Sequence, residues 1–591
     1  MRYLFVLCFL SSVFLSAQDE TIAKEYYKAG NFEKALYEYK KLHEELHSSL
    51  DYIKKIIDCH QQLQQYQEAE DFIQKFITHT TYPVFYVELG YNYQLKNELE
   101  KAHENYTLAI NSLLDNPNNA YSVAKSFQQH ALLDQAAKTY EKAMELRPSL
   151  NLKLPLAQIY GEQGKIDKMM LNYIDFAEKN PMSLFNIKRA LNDFISDDGT
   201  NEGNIILRKL LIKKIQEQPN VVWNKLLSWL FTRQKNYYKA FAQEKAIYTR
   251  QPQSLTKIID LGKIANNDNE IEVAQTIFNY VIEKAQDVDT KLIAYYDLLQ
   301  IEIKNANANA YDELKAKFLG LFNTYGKFSQ TFKLQIAYAH FLAFYRNETK
   351  EATAFLEEAL KLPLNVLEKA EIKLELGDIL VLQEKFNKAL IYYTQIQRNL
   401  KNSTISQKAR FKVAKTSYYK GDFKWAESQL KILKSSTSQL IANDALDLKL
   451  LITDNKYEDS LQTALRLYAK ADLLAFQNRD DDAIAVLNNV LDQHKTEPII
   501  PQALYKQGQL FEQKKQFEKA KANYQYIIEN YRDGILIDNA LYSLAELYFK
   551  QLNEPEKAKA LYKEIVFNHP DSIYFVDSRK KFRTLRGDAI N

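Results

Sequence analysis

Residues 43–47 read His43-Glu44-Glu45-Leu46-His47, an H-E-x-x-H spacing that could support hydrolysis. On a helix, histidines four apart share a face and can hold zinc, with Glu44 as the general base of a peptidase. Such chemistry also needs a third ligand and a cleft that excludes water. Glu68 and Glu70 are formal candidates for that ligand, but both fall at the start of the next helical stretch. Leu46 continues an apolar stripe from Leu42, which turns both histidines to the side or outer surface. A solvated helix face is the expected state of the motif, and a zinc metallopeptidase is the alternative.

Arg479-Asp480-Asp481-Asp482 lacks the alternating ligands and later Glu of a calcium loop. Acidic residues at a helix N-terminus complement its dipole, which is the simpler role. Trp223, Trp229 and Trp425 fall in helical stripes and are expected to pack. Sequons at Asn105, Asn347 and Asn402 matter only in a eukaryotic secretory route. There is no phosphate-binding glycine loop, dinucleotide fingerprint or nucleophile elbow, so no enzyme activity and no cofactor are expected.

The elements that would carry these residues follow from composition and period. Gly at 14 and Pro at 12 in 591 residues predict few turns of special φ and many helices joined by short connections. The segment 28–42, KAGNFEKALYEYKKL, orders Gly30, Phe32, Ala35, Tyr39 and Leu42. The order recurs as Tyr66, Ala69, Ile73, Phe76; as Leu99, Ala102, Tyr106, Ala109; and as Leu133, Ala136, Tyr140, Ala143, closed by Pro148. The alanines at 35, 69, 102 and 136 are 34, 33 and 34 apart. A fixed period of this length means stacked helical pairs, each burying its apolar face against the next.

On these residues the chain resembles the tetratricopeptide-repeat family. Tyr86, Leu89, Gly90 and Tyr93 precede Ala102 at the family's spacing, and Leu504, Gly508, Phe511, Phe517, Ala520 and Tyr524 repeat the pattern. Weaker copies centre on Met169, Leu207, Ala240 and Ala274, stronger ones on Ala352, Ala389, Ala426, Ala483, Ala520 and Ala558. A degenerate repeat is expected near Tyr311–Phe322, and an extra helix over Leu440–Ile452. The resemblance implies an all-α fold, an α-solenoid of helix-turn-helix repeats forming a superhelix. Ala352, Ala389 and Ala426 are 37 apart, and such longer repeats resemble those of envelope-assembly and cell-division helpers in Gram-negative periplasms.

In the family the first helices line a concave groove that holds an extended peptide or partner helix. Carried over, the groove positions are Tyr91 and Gln94; Tyr121, Lys125 and Gln128; Lys263, Asn266 and Asn267; Phe411, Lys415 and Tyr418; and Tyr505, Gln509 and Gln513. The set Lys263, Asn266, Asn267 resembles part of the carboxylate clamp of chaperone-binding members. The clamp's other basic residues have no match in adjoining repeats, so chaperone-tail binding is not expected.

Residues 1–17 read as a signal peptide: Arg2 begins it, Leu4–Phe14 form its apolar run, and Ser16-Ala17 precede the polar Gln18. Beyond it, domains are expected at 18–345, with degenerate central repeats, at 346–435, and at 436–591, ending in a capping helix over 569–588. Cys59 alone remains, which excludes an internal disulfide and a cysteine zinc site. No further apolar run reaches transmembrane length, so no membrane span is expected in the mature chain. With 78 basic and 75 acidic residues intermixed, nucleic-acid binding has no electrostatic footprint. The expected function is a non-enzymatic exported scaffold, periplasmic or outer-membrane-associated, binding envelope proteins or extended peptides. A peptidoglycan- or glycan-binding module, suggested by 40 tyrosines, is a further alternative.

Overall fold

The structure, a computed structural model, describes residues 20–588 apart from 48, 80–81, 434–437 and 457–461. The expected signal peptide lies outside the described residues. Helices follow one another with short connections, and no strand occurs among the described residues. The chain divides into two compact units, the second beginning at Phe278, inside the helix Ile271–Lys284.

The first unit stacks antiparallel pairs: 20–28 with Phe32–Glu45, Leu50–Gln62 with Tyr66–His79, Val84–Leu95 with Leu99–Asn111, and Ala120–Gln129 with Leu133–Leu146. Lys153–Glu162 with Ile166–Lys179 and Val221–Arg233 with Tyr237–Arg250 follow; between them Leu184–Leu191 and Glu202–Glu217 each pack on Ile166–Lys179, and Thr256–Asn267 comes next in the chain. Met169, Leu207, Ala240 and Ala274, the centres of the weak copies, are all buried.

The second unit pairs Val288–Asn305 with Tyr311–Tyr325, which is the degenerate repeat, then Phe332–Phe344 with Thr349–Ala359 and Val366–Leu382 with Phe386–Asn399. Thr404–Tyr419 with Phe423–Leu433 precedes the extra helix Gln439–Asp454. Thr463–Phe476 with Asp480–Gln493, Ile500–Gln513 with Phe517–Asn530, and Ile537–Lys550 with Pro555–Asn568 complete the pairs, and Phe575–Arg586 ends the array. The extra helix buries Ile441, Ala445, Leu448 and Ile452, one stripe at helical spacing, in the same core as Leu430 and Leu433. Cores also run through Leu342, Ala343 and Ala352. The last helix caps its pair: Phe582 is buried, Tyr574 stacks on Tyr542 at 4.2 Å, and Lys581 reaches Glu546.

In three of the pairs, the approach of the two helices is set by a tyrosine of the second lying on a glycine of the first. A Cβ at Gly90 would stand 2.5 Å from Tyr106, at Gly377 2.3 Å from Tyr393, and at Gly508 2.6 Å from Tyr524. Each hydroxyl then reaches a side chain on the first helix: Tyr106 donates to Gln94 Oε1 at 2.9 Å, Tyr393 to Asp378 at 2.5 Å, and Tyr524 to Glu512 at 2.5 Å. A buried phenol is thereby satisfied by its own pair.

The turns correct one expectation. Left-handed residues are not scarce: Gly30, Gly164 and Gly421 supply them in some turns, but Gln64, Asn97, Ala131, Lys235, Asn269, Glu384, Asn478, Lys515 and Asn553 do so in others. After Val84–Leu95, Asn97 takes φ 62° and the N–H of Glu98 donates to the Tyr93 carbonyl at 2.9 Å, the closure that a left-handed residue permits. Glycine is therefore rare because longer side chains hold the same conformation at some strain, not because the conformation is absent.

Two outcomes follow. Gly377→Ala overpacks the crossing and lowers stability by about 1–3 kcal/mol, and Tyr393→Leu in the same chain relieves the clash. Ala131→Gly, at an exposed position with φ 56°, raises stability by up to about 1 kcal/mol. Thermal unfolding of each variant, with hydrogen exchange over 366–399 for the first, measures both.

Candidate functional site

In the first unit, successive first helices are tied by a buried charge cluster. Glu88, 4% exposed, accepts from Ser126 Oγ at 2.5 Å and bonds His130 Nε2 at 2.8 Å. Lys54 stands 3.4 Å from Glu88 and donates to Ser126 Oγ at 3.2 Å. Burial alone would raise the Glu88 carboxyl, but the His130 hydrogen bond and the charges of His130 and Lys54 outweigh it and hold it below its ordinary value. Tyr91 lies flat on the His130 ring at 3.9 Å, so one face of that groove tyrosine is already occupied.

The other groove positions of this unit divide. Gln94 is engaged by Tyr106, and Gln128 Nε2 donates to Glu162 at 2.6 Å. Tyr121 is 55% exposed, with exposed Lys125 over its ring at 6.0 Å. Lys263 and Asn267 are exposed and Asn266 half-buried along Thr256–Asn267. The accessible set is thus Tyr121 and Lys125 in one repeat, and Lys263, Asn266 and Asn267 in another.

In the second unit the chain covers part of its own first-helix face. Phe476 meets Phe344 at 5.7 Å and Tyr419 at 6.1 Å. Gln477 Nε2 donates to the Leu382 carbonyl at 3.0 Å, and Asn478 Nδ2 to the Phe344 carbonyl at 2.9 Å. The ends of Phe332–Phe344, Val366–Leu382 and Thr463–Phe476 thus converge around a cavity of about 650 Å³. Tyr418 is corrected by this packing: it is 0% exposed, against Tyr419 and Phe423, and cannot line a groove. It follows Ser417, also buried, because Thr404–Tyr419 packs on both sides.

Phe411 and Lys415 are half-buried, and Lys415 lies 3.7 Å from Asp472. Asp472 also accepts from Lys506 at 2.8 Å; burial would raise its carboxyl, but the two lysines outweigh that and hold it low. Lys415, Gln509 and Gln513 share a cavity of about 220 Å³ with Asp472 and Lys506. Tyr505 is half-buried and its hydroxyl pairs with Ser543 Oγ at 3.1 Å.

Family models for tetratricopeptide repeats match residues 468–535 and 539–572. Over these residues the chain carries tetratricopeptide repeats. No curated protein sequence matches it. Among solved structures, it is similar to a chain of Naa15/Naa10 bound to HypK-THB, with 10% identity over 97% of this chain and 96% of that one, at a TM-score of 0.28. It is also similar to a chain of the APC/C hetero-tetramer Cut9-Hcn1, with 12% identity over 96% of each chain, at a TM-score of 0.23. Tetratricopeptide repeats are protein-interaction scaffolds, and that coarse function follows from the family.

The remaining sequence motifs serve packing and helix ends. His43 sits between Phe72 and Phe76, with ring centroids 6.0 and 5.9 Å away, and burial lowers its pKa. His47 Nδ1 bonds the His43 carbonyl at 2.7 Å. No group of three or more His, Cys, Asp or Glu that could hold a metal occurs among the described residues. Leu46 departs from the expected stripe: it is 53% exposed, just past the helix end at Glu45. Asp480, Asp481 and Asp482 occupy the first turn of their helix, with Arg479 paired to Asp482. Trp223 is fully buried and Trp229 half-buried, but Trp425 is 50% exposed, because Ala426, Leu430 and Leu433 form the inward stripe and turn it out.

Lys54, Glu88, Ser126 and His130 were absent from the sequence-based groove. Their signal was available as opposite charges one repeat apart, at 54 and 88, as again at 378 and 412 and at 472 and 506. Because the folded value of Glu88 lies below that of the unfolded chain, its stabilisation is present above about pH 4.3 and is lost as pH falls through the folded value. His130→Ala removes the largest opposing contribution, so the acid-side loss begins at higher pH. At pH 7 the variant is less stable by about 1–3 kcal/mol. Thermal unfolding from pH 7 to 3.5 checks both effects.

Proposed function

We propose that this tetratricopeptide-repeat protein is a non-enzymatic scaffold, exported to the periplasm or outer membrane of a bacterium, that holds envelope proteins or extended peptides on its first-helix faces. The observation that carries this reading is the set of accessible first-helix side chains in the first unit. Tyr121 with Lys125, and Lys263 with Asn266 and Asn267, combine an aromatic surface, amides and cations without a catalytic arrangement beside them. The export reading rests on the apolar run behind Arg2. No helix among the described residues is long and apolar enough to cross a membrane.

Crosslinking mass spectrometry in the native host tests the scaffold. Tyr121→Ala with Lys125→Glu is expected to reduce envelope crosslinks severalfold, because removing an aromatic anchor and reversing its neighbour costs about 2 kcal/mol or more. Unchanged crosslinks refute the assignment. Fractionation tests export: the chain is expected in the envelope fraction with an N-terminus near residue 18, and cytosolic protein of full mass overturns that expectation.

A further inference from the structure

One surface of the first unit is built differently from the paired charges that stitch the repeats elsewhere. A cavity of about 430 Å³ lies among Leu184–Leu191, Val221–Arg233, Tyr237–Arg250 and the start of Thr256–Asn267. Lys188, Lys225 and Lys257 border it, and Trp229 and Tyr248 supply an aromatic wall. Lys188 stands 5.8 Å from the centre of the Trp229 ring. The one carboxylate in the lining is Glu244, which accepts a hydrogen bond from Ser228 Oγ. Three cations against one carboxylate leave a local excess of two positive charges. Lys257 has an ion pair with exposed Asp260, at 3.7 Å; Asp260 is outside the lining.

The cations also oppose one another. Burial lowers the pKa of Lys188, and the charges of Lys257 and Lys225 lower it further, while Glu244 acts the other way. A bound anion would relieve this repulsion. Along Leu184–Leu191, Phe185 lies one turn from Lys188 and is 75% exposed, and Met182 just before the helix is fully exposed. A solvated phenylalanine and methionine beside a cationic cavity mark a contact surface for something both apolar and acidic.

We propose that this cavity binds an acidic, apolar-anchored polypeptide segment, with side-chain carboxylates on Lys188, Lys225 and Lys257 and an apolar residue against Trp229 and Tyr248. Lysines act as point charges suited to carboxylates, and the aromatic wall takes a hydrocarbon side chain. Glu244 in the same lining disfavours a polyphosphate and can accept a peptide N–H. The inference rests on the scaffold reading and names the chemistry of one partner segment.

The test uses the full mature chain and a fluorescein-labelled octapeptide of glutamates around one phenylalanine, compared with the same peptide carrying glutamines. The acidic peptide is expected to bind at least tenfold more tightly at low salt. Lys188→Gln with Lys225→Gln is expected to abolish that preference, and Lys28→Gln, at a remote exposed lysine, to leave it intact. Equal binding of the two peptides, absence of binding to either, or equal displacement by a short single-stranded oligonucleotide overturns the proposal. Crosslinking in the host separates the two readings. If the double lysine variant keeps every envelope crosslink, the cavity assignment falls and the scaffold stands; if no envelope crosslinks form even with the unaltered chain, the scaffold reading falls on its own.

Discussion

The constraint on which the structure depends is the contact between a second-helix tyrosine and a first-helix glycine. Tyr106, Tyr393 and Tyr524 lie over Gly90, Gly377 and Gly508 so closely that a single methyl group would collide with the ring. This fixes the separation of the helices and also the direction of the phenol, which must find an acceptor because it is taken from water. The acceptor comes from further along the same first helix, as Gln94, Asp378 or Glu512. Burial, then the neighbouring carboxylate, pushes the Tyr393 phenol well above its ordinary range, so the hydroxyl stays a donor at any pH the protein meets. Packing and polarity are thus solved by one side chain in each of these three pairs.

Contacts between pairs follow a second rule, in which opposite charges stand about one repeat apart. Lys412 reaches Asp378 at 2.8 Å, Lys506 reaches Asp472 at 2.8 Å, and Lys54 approaches Glu88 at 3.4 Å. These pairs are partly buried, so each group depends on its partner more than an exposed pair would, and losing one partner leaves the other stranded. Glu512 is the informative exception. Burial raises its carboxyl and Glu546 raises it further; the Tyr524 hydrogen bond and the charge of Lys550 oppose them without cancelling the rise. Charge matching along this array is therefore strong at some junctions and incomplete at others.

Most of the fold was legible in the sequence because its contacts are local and repeated. An alanine or glycine and a tyrosine at fixed spacing specify a pair without reference to distant residues, and Met169 and Leu207 could be placed although their repeats are degenerate. The turns were misread because glycine counts report only the least strained way to reach positive φ, whereas Ala131, Lys235 and Lys515 reach it without glycine. The groove positions were assigned as a class from repeat spacing, but burial at each position is decided by neighbours. Tyr418 occupies a first-helix position like Tyr121, yet one is enclosed and the other is 55% exposed. Contacts such as Asn478 with the Phe344 carbonyl, 134 positions apart, have no periodic signature at all.

The difference between Tyr121 and Tyr418 has a functional consequence. A helical-repeat surface binds a partner only where first-helix side chains are not already satisfied within the array. In the second unit, Phe476, Gln477 and Asn478 meet the rings and carbonyls at the ends of earlier first helices, and Lys415 is drawn to Asp472. A ligand there would have to displace aromatic contacts and amide-to-carbonyl hydrogen bonds before making its own, which raises the free-energy cost of binding. In the first unit, Tyr121 and Lys125 are exposed, and the three lysines around Trp229 share one lining carboxylate, Glu244. The same repeat pattern therefore leaves its first-helix side chains in two states: engaged by the chain itself around Phe476, Gln477 and Asn478, and exposed at Tyr121 and Lys125.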